Sequence, residues 1–172
     1  MNDYSVVHLA TNAAFVTGQP ENSFILFGDG KPVTFRDIEK WRFPNVDLVV
    51  LSACETGLGD KLGDGREILG FGYQMQRTGA RAAIASLWSV DDGGTQALMN
   101  AFYGTLETGN ITKAQALQKA QIALITGDEK AMGGQRGIIV VRPSDNQSLE
   151  VVTNRLSHPY YWASFILIGN GL

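Results

Sequence analysis

The chain has 172 residues, 44% of them hydrophobic and 18% charged, enough for one domain with its own core. Its formal net charge is −3, without the clustered Lys and Arg of a nucleic-acid binder, and no apolar run reaches the ~18 residues of a membrane span. The single cysteine, Cys54, excludes an internal disulfide framework and a Cys-based zinc site, and a lone thiol fits a reducing cytoplasm.

The first residues, MNDYSVVHLA, lack the basic and apolar regions of a signal peptide. Residues 4–10 (YSVVHLA) read as a short buried strand. Residues 23–27 and 32–34 flank the turn signal GDGK, which predicts a hairpin. Thr34 followed by Asp37 has the spacing of a helix N-cap box, opening a short helix to about Trp41. Residues 47–53 (DLVVLSA) form the strongest strand signal, a near-continuous apolar run suited to a parallel strand covered on both faces. After the glycines and charges of CETGLGDKLGDG, a helix is expected over 66–78 with Gly79 as C-cap; Gly70 and Gly72 inside it cost helix stability but allow close approach to a sheet.

Residues 81–87 read as the next buried strand. Asp91 or Asp92 caps a helix carrying Leu98, Met99, Phe102, Tyr103 and Leu106 at helical spacing, ended by Gly109 and Asn110. A second helix, over about 113–125, places Leu117, Ala120 and Leu124 on one face. A polar, Gly-rich stretch follows Gly127, then two β-like runs, 137–141 and 148–153, read as a surface hairpin, and a last apolar strand, Phe165–Gly169. There is no internal repeat. Strands alternating with helices imply an α/β fold around a mostly parallel sheet, in which sites lie outside the carboxyl ends of the strands. Two segments stand at such ends, residues 11–13 and 54–57.

Cys54 directly follows a buried strand and precedes a Gly-containing turn, a position that presents a side chain at the rim of a sheet beside backbone N–H groups able to hold an oxyanion. A thiolate is a strong nucleophile, but it needs a base or a lowered pKa. Taken alone, one cysteine is more often a small buried hydrophobe. The glycine-rich 57–65 matches neither of the common phosphate-loop patterns and is expected as a mobile loop beside the site, which leaves a nucleotide switch as a remote reading.

The motif SACETG around Cys54 resembles the caspase-type pattern of an apolar strand ending in Ala-Cys with a glycine soon after. Upstream, HLATN (residues 8–12) resembles the H-x-A-x-H segment of CHAT domains, bacterial relatives of caspases and separase. ENSFILFGDG, VVLSACETGLGD, REILGFGYQMQRTGARAAIASLWSVDD, NAFYGTL, ALQKAQ and HPYYWASFILIGN also resemble CHAT segments, in the same order and over nearly the whole chain.

This resemblance implies a single caspase-like α/β domain over residues 1–172 and a cysteine endopeptidase with Cys54 as nucleophile. It puts the general-base histidine at Asn12, and a backbone oxyanion donor at Ala13, where the family usually has glycine. Trp88, Asp91 and Asp92 fall where the caspase-like fold borders its substrate pocket, so the acidic pair is expected either to favour a basic substrate residue or simply to cap the next helix. The expected partners are a protein or peptide substrate and helical-repeat regions of the same or another protein; no metal and no cofactor is expected.

Asn12 is the departure that matters, because an amide cannot take the thiol proton near neutral pH. His8 lies four residues back, ~13 Å along a strand, and reads as structural, as does His158 as a surface or packing residue. The expectation is a weakly active or inactive peptidase domain, the alternative a pseudo-peptidase that serves as an interaction module. CHAT domains usually have further strands before the His-bearing one, so a shortened domain or a piece of a longer protein, with an unpaired sheet edge near residues 4–10, is also expected.

Overall fold

A computed structural model describes residues 4–14, 16, 19–55, 66–133 and 155–172; for residues 20, 53–55 and 66–68 it describes the backbone alone. The expected loop 57–65 and surface hairpin 137–153 lie outside the described residues. Two compact units emerge, residues 1–89 with 165–171, and residues 90–164 with Leu172.

The first unit is built on six strands: β1 (Val6–Ala14), β2 (Phe24–Leu26), β3 (Pro32–Thr34), β4 (Leu48–Glu55), β5 (Ala82–Ser86) and β6 (Phe165–Gly169), in the spatial order β3-β2-β1-β4-β5-β6. The central ladders β1–β4 and β4–β5 are parallel, whereas β2, β3 and β6 join antiparallel. The sheet is therefore mixed, with a parallel centre. The antiparallel β2–β3 pair has a local cause: GDGK returns the chain directly, with the Gly30 N–H on the Phe27 carbonyl at 2.8 Å and Gly30 at φ 75°, leaving no crossover for a parallel pair.

Two boundaries differ from expectation. Both β1 and β4 run on through positions 12 and 54 instead of stopping before them, because each extends the ladder of the other. The edge expected near residues 4–10 is open along most of β1: the β2–β3 hairpin pairs only with Ala13 and Ala14, so among the described residues Val6–Asn12 are laddered by β4 alone.

Alternation sorts the sheet into two faces. On one, Val49, Leu51, Ala83 and Ala85 pack with Phe35, Ile38, Phe71 and Met75 in a single cluster. Those last four belong to α1 (Phe35–Ile38) and α2 (Arg66–Arg77), the helices that cover this face. Fully burying one such side chain stabilises by ~1.5–3 kcal/mol. The capping box that opens α1 forms as expected: Asp37 N–H donates to Thr34 Oγ1 at 3.3 Å, and Thr34 N–H donates to Asp37 Oδ2 at 3.2 Å. The Thr34 hydroxyl, donating to the same carboxylate, holds Asp37 below its ordinary pKa.

Only one of the two helix glycines has the predicted role. A Cβ on Gly72 would come within 2.5–2.8 Å of three Ile168 side-chain atoms, so its absence lets α2 sit on β6. A Cβ on Gly70 meets nothing within 4 Å, because that position faces away from the sheet.

The second unit pairs α3 (Asp92–Leu106) with α4 (Lys113–Thr126), and adds the short α5 (Pro159–Trp162). The expected faces are buried: Leu98 and Phe102 on α3, and Leu117, Ala120 and Leu124 on α4. Thr112 and Gln115 form a second capping box, and Gly127 closes α4 in the left-handed conformation at φ 68°. His158 caps α5, its Nδ1 accepting from the Tyr160 N–H at 3.2 Å. No described helix is long and apolar enough to cross a membrane.

Candidate active site

Position 12 reaches its place through the parallel ladder. The β1–β4 register pairs His8 with Val50, Ala10 with Ser52, and Asn12 with Cys54 as Cα partners. Adjacent strands run ~4.8 Å apart, and registered positions of a parallel pair share a sheet face. Positions 8, 10 and 12 of β1 thus lie on one face with positions 50, 52 and 54 of β4. The two residues singled out as base position and nucleophile are cross-strand neighbours near the carboxyl ends of two central strands.

Burial on this face falls away from β4 towards β1. Leu48 and Val50 are fully buried and Ser52 is half-buried, while His8, Ala10 and Asn12 are exposed. The carboxyl end of β1 is held in three ways: Ala13 is registered with both Ile25 and Glu55, Ala14 pairs with Phe24, and the Thr11 hydroxyl bonds to the Leu26 carbonyl. Ala13 is fully buried.

Sequence reasoning set His8 aside and did not single out Ser52, yet the structure joins them: His8 Nε2 and Ser52 Oγ are 2.8 Å apart. The signal for Ser52 was the alternation in LSAC, which puts it on the same face as Cys54. Desolvation holds the His8 imidazole below its ordinary pKa, although the residue as a whole is exposed. Neutral at pH 7, His8 is able to accept the Ser52 proton.

The acidic candidates have separate places. Asp91 is the N-cap of α3, its Oδ1 accepting from the Gly94 N–H at 2.8 Å. Asp92 is the first residue of the helix and is exposed. Trp88, just after β5, is half-buried. Among the described residues no group of three or more His, Cys, Asp or Glu side chains forms a cation site.

None of the curated proteins compared with this chain matches it. A family model described as the CHAT domain matches residues 1–170, nearly the full length. With a six-stranded α/β sheet whose parallel centre sets position 12 beside Cys54, the chain belongs to the CHAT domain family, which is related to the caspase-like cysteine peptidases.

Proposed function

We propose that this chain is a caspase-like cysteine endopeptidase domain whose hydrolytic step is crippled by Asn12. The observation that carries the reading is the register of Asn12 with Cys54 in the central parallel ladder. In this reading the Cys54 thiolate attacks a peptide carbonyl and forms a C–S bond as the carbonyl π pair moves to oxygen. The tetrahedral oxyanion accepts from backbone N–H groups of Cys54 and Ala13. Collapse expels the amine, which must gain a proton, and water then hydrolyses the thioester to a carboxylic acid and free thiol.

Two proton transfers in that cycle need a titratable neighbour: one from the thiol, one to the leaving amine. An imidazole at position 12 would serve both, and the Asn12 amide serves neither. The Asp91 carboxylate is engaged in its cap on α3.

Asn12 is also the observation that favours a second reading, a pseudo-peptidase retaining the fold as a binding module. Covalent labelling of Cys54 by an electrophilic peptide separates the two. The peptidase reading predicts faster labelling after Asn12→His and none after Cys54→Ala. An Asn12→His variant that folds yet labels no faster would favour the binding module.

A further inference from the structure

We infer that His8, Ser52 and Asn12 form a second nucleophilic site on this sheet face, in which Ser52 attacks small esters, His8 is its general base and the Asn12 carboxamide holds the oxyanion. The contact between nucleophile and base is already made: His8 Nε2 and Ser52 Oγ are 2.8 Å apart, inside the ~2.6–3.2 Å that proton abstraction needs. With its own proton on Nδ1, the imidazole accepts from the Ser52 hydroxyl at Nε2. Ser52 is half-buried and His8 and Asn12 are exposed, so all three are open to solvent. Cys54 is registered with an amide that cannot take its proton. Ser52, two residues earlier on the same strand, stands beside an imidazole that can.

The ladder brings in the third group. The Cα partner of Ser52 is Ala10, and His8 and Asn12 flank Ala10 on the same face of β1. Each therefore lies diagonally from Ser52, ~8 Å between Cα atoms for strands ~4.8 Å apart that rise ~3.3 Å per residue. The imidazole closes one diagonal, and Asn12 stands on the other. Between them Ala10 offers only a methyl, which leaves room over Ser52 for a carbonyl group. The Asn12 amide carries two N–H donors and no titratable proton, so it is unfit as a base and suited to a developing oxyanion. In the first half-reaction Ser52 Oγ bonds to the ester carbonyl carbon, its proton passes to His8 Nε2, and the carbonyl π pair moves to oxygen. Collapse breaks the acyl C–O bond, and the departing alkoxide takes the proton from His8. Water then attacks the acyl-Ser52, again through His8, releasing the carboxylic acid and the free hydroxyl. An ester is the fitting class, because an alcohol leaves with less help from an acid than an amine does. The site shares Asn12 with the proposed peptidase centre but does not rest on that reading.

Labelling of the native chain with a fluorophosphonate, mapped by peptide mass spectrometry, reads which residue is the nucleophile, since the reagent loses fluoride as an oxygen–phosphorus bond forms. The adduct is expected on Ser52. His8→Gln should slow its formation by ~10²–10⁴-fold, the usual worth of a general base. Asn12→Ala should slow it by ~10²–10³-fold, the usual worth of one oxyanion donor. Hydrolysis of p-nitrophenyl acetate should fall in step in both variants and return to background in Ser52→Ala. Should His8→Gln fail to fold, the place of the adduct in the native chain and its rate in Asn12→Ala, a change at an exposed position, still decide. No adduct on Ser52, or one that forms as fast in either variant as in the native chain, would overturn the site. An adduct on Ser52, alongside an Asn12→His variant whose Cys54 reacts no faster with an electrophilic peptide, would sink the peptidase reading and leave this site standing.

Discussion

Asn12 and Cys54 are Cα partners across the β1–β4 ladder, each on a central strand of a six-stranded sheet. Asn12 is exposed. Replacing it should therefore disturb packing little, so Asn12→His should change the melting temperature by no more than ordinary surface substitutions do, within about 0.5 kcal/mol. A loss of several kcal/mol in thermal unfolding would show that the amide has a structural role.

The two glycines of α2 should respond in opposite ways. Gly70→Ala places its methyl in open space and should stabilise by about 0.5–1 kcal/mol through helix propensity. Gly72→Ala drives a methyl into Ile168 and should destabilise by ~1–3 kcal/mol. Urea unfolding of both variants checks the pair, and equal effects would contradict the placement of α2 on β6.

Much of this arrangement was legible in the sequence, because the signals were local. The hairpin around GDGK, the Thr34–Asp37 box and the Leu117–Ala120–Leu124 face all appear where spacing put them. Strand ends were not legible: β1 and β4 outrun their apolar stretches because pairing with each other holds polar Asn12 and the residues around Cys54 in extended form. The antiparallel direction of β6 was invisible too, since a five-residue apolar run carries no polarity. His8 was judged by its distance along its own strand to position 12, a measure blind to a diagonal reach across to Ser52.

Asp91 carries both a cap and a charge, and the two are separable. Asp91→Ala should cost ~1 kcal/mol by losing the bond to the Gly94 N–H, while Asp91→Asn, also a good N-cap, should keep nearly all the stability. Chemical denaturation decides this, and equal losses in both variants would show that the charge outweighs the cap.

His8 makes stability pH-dependent in a stated direction. Desolvation lowers its folded pKa, so the unfolded chain binds the proton more readily. The contribution is fully present above the unfolded value of ~6.5 and is lost as the pH falls through the lower, folded value. The melting temperature of the native chain should thus drop more between pH 7 and pH 5 than that of His8→Gln. Parallel pH profiles would show that protonating His8 costs the fold nothing.

Under the proposed function catalysis stops at position 12, and peptide turnover reads that out. The hydrolysis rate of a peptide library by the native chain, by Asn12→His and by Asn12→His with Cys54→Ala should separate the base from the nucleophile. Restoring an acid–base group is typically worth ~10²–10⁴-fold, so Asn12→His should raise the rate by about that factor, and the added Cys54→Ala should return it to background. Efficient turnover by the native chain, equal to that of Asn12→His, would contradict the account by showing that another group supplies the proton transfers.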